Sequence, residues 1–462
     1  MKYSLATTSI ESTWNIDGKI LFLGNWCLKP SLEDDWGKLD FEVLPYHWNS
    51  TKKLKDDEVF LENIYENILD ELVGILNDQH GLNWDKRSWS IIVGVWLRRY
   101  LTILYDRYSL IHGALEKFDI QSVCCGSVEH CQLTPLDRNM FSESYKSDRW
   151  NYYLFSRILR DTTKIHILDH DINEDMTDVD VEKNSITIYS IFKMLAKSFL
   201  KSRIIQSIFS ICSIRNSYYL YLPYIPRKVD EILLNLKLGN FPLYFKPDEP
   251  EVDFILNKDV RNKIEIKSPS ETKFEAYLKE LLPEFIPVVY LEKFNEILEE
   301  ESKSKFPKNI KLIFTTIGIY TNDVFKVWVV KQILKGSKLV VAQHGGHYAT
   351  FDIKSESLPF ELFVSDYYFS WGWKLPGESI KPIPALISIN KKISRTSNKL
   401  FYTIITRPIS KYCYIHSTGS LPGKKNELYL GMLFELTQKL LESHKSKVLV
   451  RLHPGESNEE EQ

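Results

Sequence analysis

The protein has 462 residues, of which 44% are hydrophobic and 13% aromatic, and its formal net charge is −2. This length predicts two or three domains of about 100–200 residues each, and the apolar content excludes wholesale disorder. The charge balance argues against a general nucleic-acid binder, because such proteins usually carry a basic excess. The N-terminus lacks a signal-peptide pattern, and no apolar run approaches the roughly 18 residues of a membrane span.

Six cysteines are present, and none forms a CxxC pair: Cys27, Cys124, Cys125, Cys131, Cys212 and Cys413. The adjacent pair Cys124-Cys125 has poor spacing for a metal site. This usage predicts reduced, mostly buried thiols in a cytoplasmic protein.

The first half of the sequence alternates apolar strand patterns with helical periodicity. Its predicted strands lie at 19–24, 120–125, 164–168 and 217–222. Its predicted helices lie at 54–76, 87–115 and 151–159. The pair Asp106-Arg107 falls within the second helix, where we expect a surface ion pair. This alternation is typical of an α/β fold.

The next segment contains a β-α-β unit, with strands at 311–316 and 339–342 around a helix at 322–334. The second strand runs directly into Gln343–His347, a loop with two glycines and two histidines. In open α/β sheets ligands bind at the carboxyl ends of the strands, so this loop is predicted to face a cleft. A further strand is expected at 360–369.

A Pro-rich stretch from Pro376 to Pro384 predicts a linker. Beyond it lie predicted strands at 399–406 and 447–452, with a helix at 427–443. We therefore expect one domain over residues 1–385 and the start of a second over 398–462. A Rossmann-like domain needs about 100 residues or more. The second domain is therefore expected to be incomplete, and the protein to be truncated at its C-terminus.

Common cofactor and metal motifs are absent. The sequence has no GxGxxG after its first predicted strand, no GxxxxGK[ST], no HExxH and no GxSxG. Asp169-His170-Asp171 is interpreted as a turn rather than a metal-binding DxD. No metal and no tightly bound cofactor are predicted.

Four segments together resemble a family of bacterial transferases of surface-carbohydrate biosynthesis, which is itself similar to GT-B glycosyltransferases. They are Tyr46–Asn49, Gln343–Gly346, Asp366–Trp373 and Arg451–Pro454. The resemblance implies an α/β, GT-B-like fold in which two Rossmann-like domains face a cleft, the second being incomplete. It also implies a glycosyltransferase whose donor is a nucleotide sugar, CMP-linked and nonulosonic or Kdo-like. The acceptor would be a cell-surface glycan or glycoprotein.

The resemblance and the positions of the motifs give a set of candidate site residues. The catalytic candidates are His344 and the pair Glu129 and His130. The candidates for holding the donor are Gln343, Gly345, Gly346, Arg451, His453, Pro454 and Gly455. In CMP-sugar users of this fold a His-Pro pair contacts the nucleotide phosphate, and His453-Pro454 is the matching pair here.

Other interpretations stay open. His344, His47 and Asp366 are each also compatible with ordinary structural roles, Asp366 as a partner of a neighbouring backbone amide. A lysine stripe at 193–201 is typical of a solvated helix face or of a contact to anionic lipid. A non-catalytic carbohydrate-binding or assembly subunit and a polyol-phosphate transferase are the alternative functions. We expect a cytoplasmic location at the inner face of the membrane and no nucleic-acid partner; the oligomeric state is not predicted.

Overall fold

The computed structural model is an α/β protein with three separate parallel sheets. It describes residues 1–28, 36–127, 133–172, 217–240, 250, 252–346, 348, 357–376, 379–390, 401–407, 410–415, 422, 424–444 and 447–451. Parallel sheets need cover on both faces, and the apolar content of the strands reflects this.

The first sheet has five parallel strands in the order β3-β2-β1-β4-β5. They are β1 (Lys2–Ala6), β2 (Lys19–Phe22), β3 (Phe41–Val43), β4 (Asp119–Cys125) and β5 (His166–Asp169). The order reverses between β1 and β4, which makes that point the topological switch of a Rossmann-like sheet. The sequence pattern did not predict the first strand, although its last four residues are buried.

The second sheet also has five parallel strands, but they follow one another in sequence order. They are β6 (Tyr218–Tyr221), β7 (Leu312–Thr315), β8 (Lys338–Ala342), β9 (Tyr367–Ser370) and β10 (Ile380–Pro382). Part of the Pro-rich stretch predicted as a linker is therefore an edge strand, where proline is tolerated because no neighbour needs its N–H.

The third sheet has two parallel strands, β11 (Phe401–Ile405) and β12 (Lys447–Arg451). They pair with each other and not with the strands of the second sheet. The helix Lys424–His444 connects them. The predicted β-α-β unit is thus confirmed, while the domain boundaries at 385 and 398 stay a prediction.

Helices connect and cover the strands. The longer ones are Thr51–His80, Lys86–Trp89 continuing through a π-helical turn Ser90–Gly94 into Val95–Lys117, Asp148–Thr162, Lys228–Lys237, Lys273–Phe285, Phe294–Lys303, Asp323–Leu334 and Lys424–His444. Shorter ones are Arg138–Ser144, Lys258–Arg261, Gly318–Thr321 and Ser357–Val364. The last of these corrects the strand predicted at 360–369, because only Tyr367–Ser370 is extended.

The helix that runs from Lys86 to Lys117 joins the first two sheets. Its π-helical turn contacts the helices Asp323–Leu334 and Ser357–Val364 of the second sheet. Its later part packs on the helix Asp148–Thr162, which covers the first sheet. One continuous buried helix therefore holds the two sheets in a fixed relation.

Within the described part of the protein, no helix has the length and apolar character needed to cross a bilayer. The four cysteines placed there, Cys27, Cys124, Cys125 and Cys413, are free thiols, as predicted. Burial raises the pKa of Cys125 to about 12, so this thiol is unreactive at neutral pH.

Candidate functional site

A single buried amide ties the loop after β8 to the loop after β9. Gln343, only 3% exposed, donates from Nε2 to the carbonyl oxygen of Gly345 at 2.6 Å. Its Oε1 accepts from the backbone N–H of Trp371 at 2.8 Å and from the indole N–H of Trp373 at 2.7 Å. Because these bonds use both ends of the amide, Gln343 braces the site.

The turn between the two tryptophans depends on a glycine. Gly372 has φ of +91°, in the left-handed region that glycine adopts without a Cβ clash. The turn brings the Trp371 backbone and the Trp373 indole to the same oxygen. The Trp373 ring also packs on Tyr368, with ring centroids 5.9 Å apart. The aromatic segment is therefore part of the second sheet's carboxyl edge.

His344 stands beside a carboxylate that has no contact with solvent. Its Nδ1 lies 3.3 Å from Oε1 of Glu361, and its side chain keeps 25% of its surface exposed while that of Glu361 is 0% exposed. The hydroxyl of Tyr348 lies 3.2 Å from the same ring nitrogen and donates to Glu361 at 3.1 Å. The pair thus has a buried acid on the inside and an accessible imidazole on the outside.

A second tyrosine holds the same carboxylate. Tyr320 donates its hydroxyl hydrogen to Oε1 of Glu361 at 2.8 Å. It sits in a one-turn helix that follows β7 and begins at Gly318. A Cβ at Gly318 would lie 2.5 Å from Oγ1 of Thr315 and 2.6 Å from the ring of Tyr221. Only glycine fits there, so the close packing of this turn fixes the position of Tyr320.

Tyr368, on β9, completes the surroundings of the carboxylate. Burial raises the pKa of its hydroxyl, and the negative charge of Glu361 raises it further. The phenol therefore stays protonated and available as a donor. The hydroxyls of Tyr320 and Tyr348 both donate to Oε1 of Glu361, so phenols hold this carboxylate in place.

This arrangement suits proton transfer. An imidazole at the protein surface can take a proton from a substrate hydroxyl, and a carboxylate behind it orients the ring and stabilises the imidazolium that forms. The second sheet thus presents a group able to act as a general base at the carboxyl end of a central strand, where the loop sequence predicted His344 to lie.

A second histidine–carboxylate pair lies at the carboxyl edge of the first sheet. Nε2 of His47 is 2.9 Å from Oδ1 of Asp106, and the two side chains are only 10% and 2% exposed. Arg107 donates to the other oxygen of Asp106 at 2.6 Å and is fully buried. The expected surface ion pair Asp106-Arg107 is therefore wrong, because the helix is buried between two sheets. Tyr46 also donates to Asp106, at 2.6 Å.

Asp366 has a structural role. Its Oδ2 accepts from the backbone N–H of Leu339 at 2.9 Å, as the alternative interpretation expected. It also pairs with Arg87 at 2.7 Å and with Lys338 at 2.9 Å. Although burial opposes ionisation, the hydrogen bond from Arg87 and these other donors hold the pKa of Asp366 below its ordinary value. These bonds join β8 to β9 and to the long helix.

Several predicted site residues fall outside the described ranges: Glu129, His130, His347, His453, Pro454 and Gly455. Their roles stay predictions. Arg451 is the last residue of β12 and its side chain is exposed, but it belongs to a different sheet from His344. Gly345 and Gly346 lie in the loop beside His344, and Gly346 has open space where a Cβ would stand. The lysine stripe at 193–201 also lies outside the described residues.

Sequence reasoning missed the partners of His344. The sequence pattern places Glu361 in a strand, whereas it lies on the helix Ser357–Val364 and is fully buried. Its signal is a single acidic residue within the apolar run Leu358–Val364. Within the ranges the structure covers, no group of three or more His, Cys, Asp or Glu side chains is placed to hold a metal ion.

The fold and this site define a Rossmann-like α/β protein with a histidine–carboxylate pair at the carboxyl edge of its second sheet. The family described as LIC12162 family transferase matches residues 3–462, nearly the whole sequence. The protein therefore belongs to that family and is a transferase. No curated protein and no solved structure was found to match it.

Proposed function

We propose that this transferase is a glycosyltransferase of GT-B type that moves a sugar from a nucleotide donor to a hydroxyl of a cell-surface glycan or glycoprotein. The pairing of partly exposed His344 with fully buried Glu361 carries the proposal. A base of this kind is what an acceptor hydroxyl needs before it can attack a sugar carbon.

In the proposed reaction, the acceptor oxygen loses its proton to His344 and forms a bond to the anomeric carbon of the donor sugar. The bond from that carbon to the nucleotide phosphate breaks, and the nucleotide leaves with the electron pair. Glu361 stabilises the imidazolium until its proton passes to solvent. A CMP-linked nonulosonic or Kdo-like donor is the candidate that the His453-Pro454 motif favours.

The donor is proposed to bind the third sheet. Arg451 ends β12 with an exposed guanidinium, which can pair with a phosphate. His453, Pro454 and Gly455 follow it directly in the sequence. The acceptor would then approach His344 from the side of the second sheet, while Gln343, Gly345 and Gly346 stay predicted donor contacts. In this proposal the enzyme works at the inner face of the membrane, without a nucleic-acid partner.

A polyol-phosphate transferase is the second candidate, because the same histidine base can activate a hydroxyl that attacks phosphorus instead of carbon. The two reactions give different products. Sugar transfer releases a free nucleotide and makes a glycosidic bond, whereas polyol-phosphate transfer makes a phosphodiester that phosphorus NMR detects.

The test is an activity screen of the purified protein with CMP-, UDP- and GDP-linked sugars and CDP-linked polyols. Nucleotide release is measured with and without oligosaccharide acceptors, and products are identified by mass spectrometry. We expect acceptor-dependent release from one sugar nucleotide, and loss of that release in His344→Gln. Equal release by wild type and His344→Gln would contradict the proposal, and donor binding without any transfer would favour an assembly subunit.

A further inference from the structure

The strand order of the first sheet reverses between β1 and β4, and the carboxyl edge at such a switch point is where Rossmann-like sheets bind ligands. The loop after β1 holds Ser9, which is 3% exposed and donates to Asp148 at 2.6 Å. Asp148 begins the helix Asp148–Thr162. We use the name first-sheet crevice for the space bounded by Ser9, Trp26, Asp106, Arg107 and Asp148.

A segment from the far end of the sequence fills this crevice. We call residues 410–415, which follow β11, the anchor segment. Lys411 donates to Ser9 Oγ at 2.9 Å and forms an ion pair with Asp148. Tyr412, 3% exposed, donates its hydroxyl hydrogen to the other oxygen of Asp148.

The rest of the anchor segment is equally well held. Arg107 donates to the carbonyl oxygen of Cys413 at 2.7 Å. The ring of Tyr412 lies 5.6 Å from that of Trp26, and Tyr414 stacks on Tyr145 at 5.0 Å. The contacts thus include an ammonium, a phenol, a backbone carbonyl and two aromatic rings, which is the variety expected of a bound peptide.

Charge complementarity explains why this segment fits. Burial opposes ionisation of Asp148, but the charge of Lys411 and the hydrogen bonds from Lys411, Ser9 and Tyr412 outweigh it and hold its pKa below the ordinary value. A carboxylate at this point attracts an ammonium and repels a phosphate. The position beside Asp148 therefore favours a cation over a phosphate.

We propose that the first-sheet crevice is an internal binding site whose ligand is the anchor segment, and that this contact holds the third sheet against the first. Asn25, which follows β2, supports the same contact by donating to Glu427 on the helix Lys424–His444 at 2.9 Å. In this arrangement the first sheet positions the third sheet and leaves the ligand chemistry to the other two. The proposal does not depend on which group the enzyme transfers.

Cysteine labelling can test the proposal, because the anchor segment carries its own reporter. Cys413 is 2% exposed in the contact, and Cys125 is 0% exposed in β4 of the first sheet. Burial raises the pKa of both thiols, so both should react slowly with iodoacetamide in the wild type. Peptide mapping by mass spectrometry distinguishes them from the other cysteines.

We expect Lys411→Met and Asp148→Asn each to speed labelling of Cys413 by at least about tenfold, because each leaves a charge of the pair without its partner. Cys125 should stay protected, since undocking leaves the first sheet folded. Glu435→Gln is the matched control: it removes an exposed ion pair with Lys439 on the connecting helix and touches no part of the contact.

Two outcomes would overturn the proposal. If Cys413 stays protected in both variants, the Lys411–Asp148 pair does not hold the segment. If Cys413 and Cys125 react at the same faster rate, the segment belongs to one cooperative core and is not a separately docked ligand. The use of two variants, one on each side of the contact, guards against a variant that fails to fold.

Discussion

The first and second sheets each present a histidine–carboxylate pair at their carboxyl edge, but the two pairs have opposite surroundings. His47 is 10% exposed and meets Asp106, whose second oxygen is bound by a buried arginine. His344 is 25% exposed and meets Glu361, which is held by tyrosines. A histidine and a carboxylate therefore form a covered structural contact in one sheet, and in the other a pair whose imidazole is accessible.

The two pairs differ in the parts of the protein that pack against them. At the first sheet the protein itself fills the crevice, and Arg107 binds both Asp106 and the anchor segment. At the second sheet Gln343 forms hydrogen bonds with both the loop after β8 and the loop after β9. A ligand can reach such a pair only where its imidazole is accessible, as it is at His344, so the pair alone does not identify an active site.

Replacing each histidine should separate the two roles most strongly. We expect His344→Gln to lower kcat by about 10²–10⁴ because the base is lost, with an unchanged Tm. His47→Leu should lower Tm, because it leaves buried Asp106 with one donor fewer, and leave the turnover of folded protein intact. Nucleotide-release kinetics and thermal unfolding measure both. Similar losses of kcat in the two variants would contradict the comparison.

The arginines beside the two sheets should differ in stability. Arg107→Met leaves Asp106 buried without its main cation, and we expect the free energy of unfolding to fall by about 3–5 kcal/mol. Arg87→Met breaks a partly exposed pair with Asp366, which keeps Lys338, so a loss of about 1 kcal/mol is expected. Urea denaturation measures both. Equal losses would mean that Arg107 is no more embedded than Arg87.

The sequence predicted most of the second sheet and the position of His344. The apolar run Leu339–Val341 and the glycines after it are local signals, and the strand and loop lie where they were expected. The transferase class of the family agrees with the predicted enzyme. In contrast, the donor-binding role of His453 and the pair Glu129 and His130 stay predictions, because they lie outside the described residues.

The missed features depend on contacts between distant parts of the sequence. Asp148 and Lys411 are 263 positions apart, and no local periodicity connects them. The pattern of a single helix makes Asp106 and Arg107 look like surface residues, because it does not show the sheets on either side of that helix. Glu361 was missed because a short apolar run does not distinguish helix from strand.

The brace at the second sheet can be weakened in steps. Gln343→Glu still accepts from Trp371 and Trp373 but cannot donate to the Gly345 carbonyl, whereas Gln343→Met loses all three bonds. We expect stability losses of about 1–3 kcal/mol, larger for Gln343→Met, and a fall in kcat/KM in the same order. Unfolding and initial-rate measurements would show this. A normal rate in Gln343→Met would mean that the site does not need the brace.

Acid should weaken the first sheet more than the second, though this effect is the smallest. Burial opposes ionisation of Asp106 and Asp148, but the hydrogen bond from His47 to Asp106 and the charge of Lys411 beside Asp148 lead the interactions that lower each pKa in the folded state. Their stabilisation is therefore complete above the unfolded value of about 4 and is lost as pH falls through the folded value.

Each such carboxylate adds at most about 1.4 kcal/mol per pH unit to the fall in the free energy of unfolding as the solution becomes more acidic. Asp148→Asn should make the free energy of unfolding depend less steeply on pH, because asparagine does not titrate. Asp366→Asn, at a carboxylate that is 14% exposed in the second sheet, should reduce this slope less. Urea unfolding at several values between about pH 6 and pH 3 measures the slopes. If Asp148→Asn loses stability in acid as steeply as the wild type does, the buried carboxylate of the first sheet does not determine the acid sensitivity of the protein. The two edges would then differ only in their exposure.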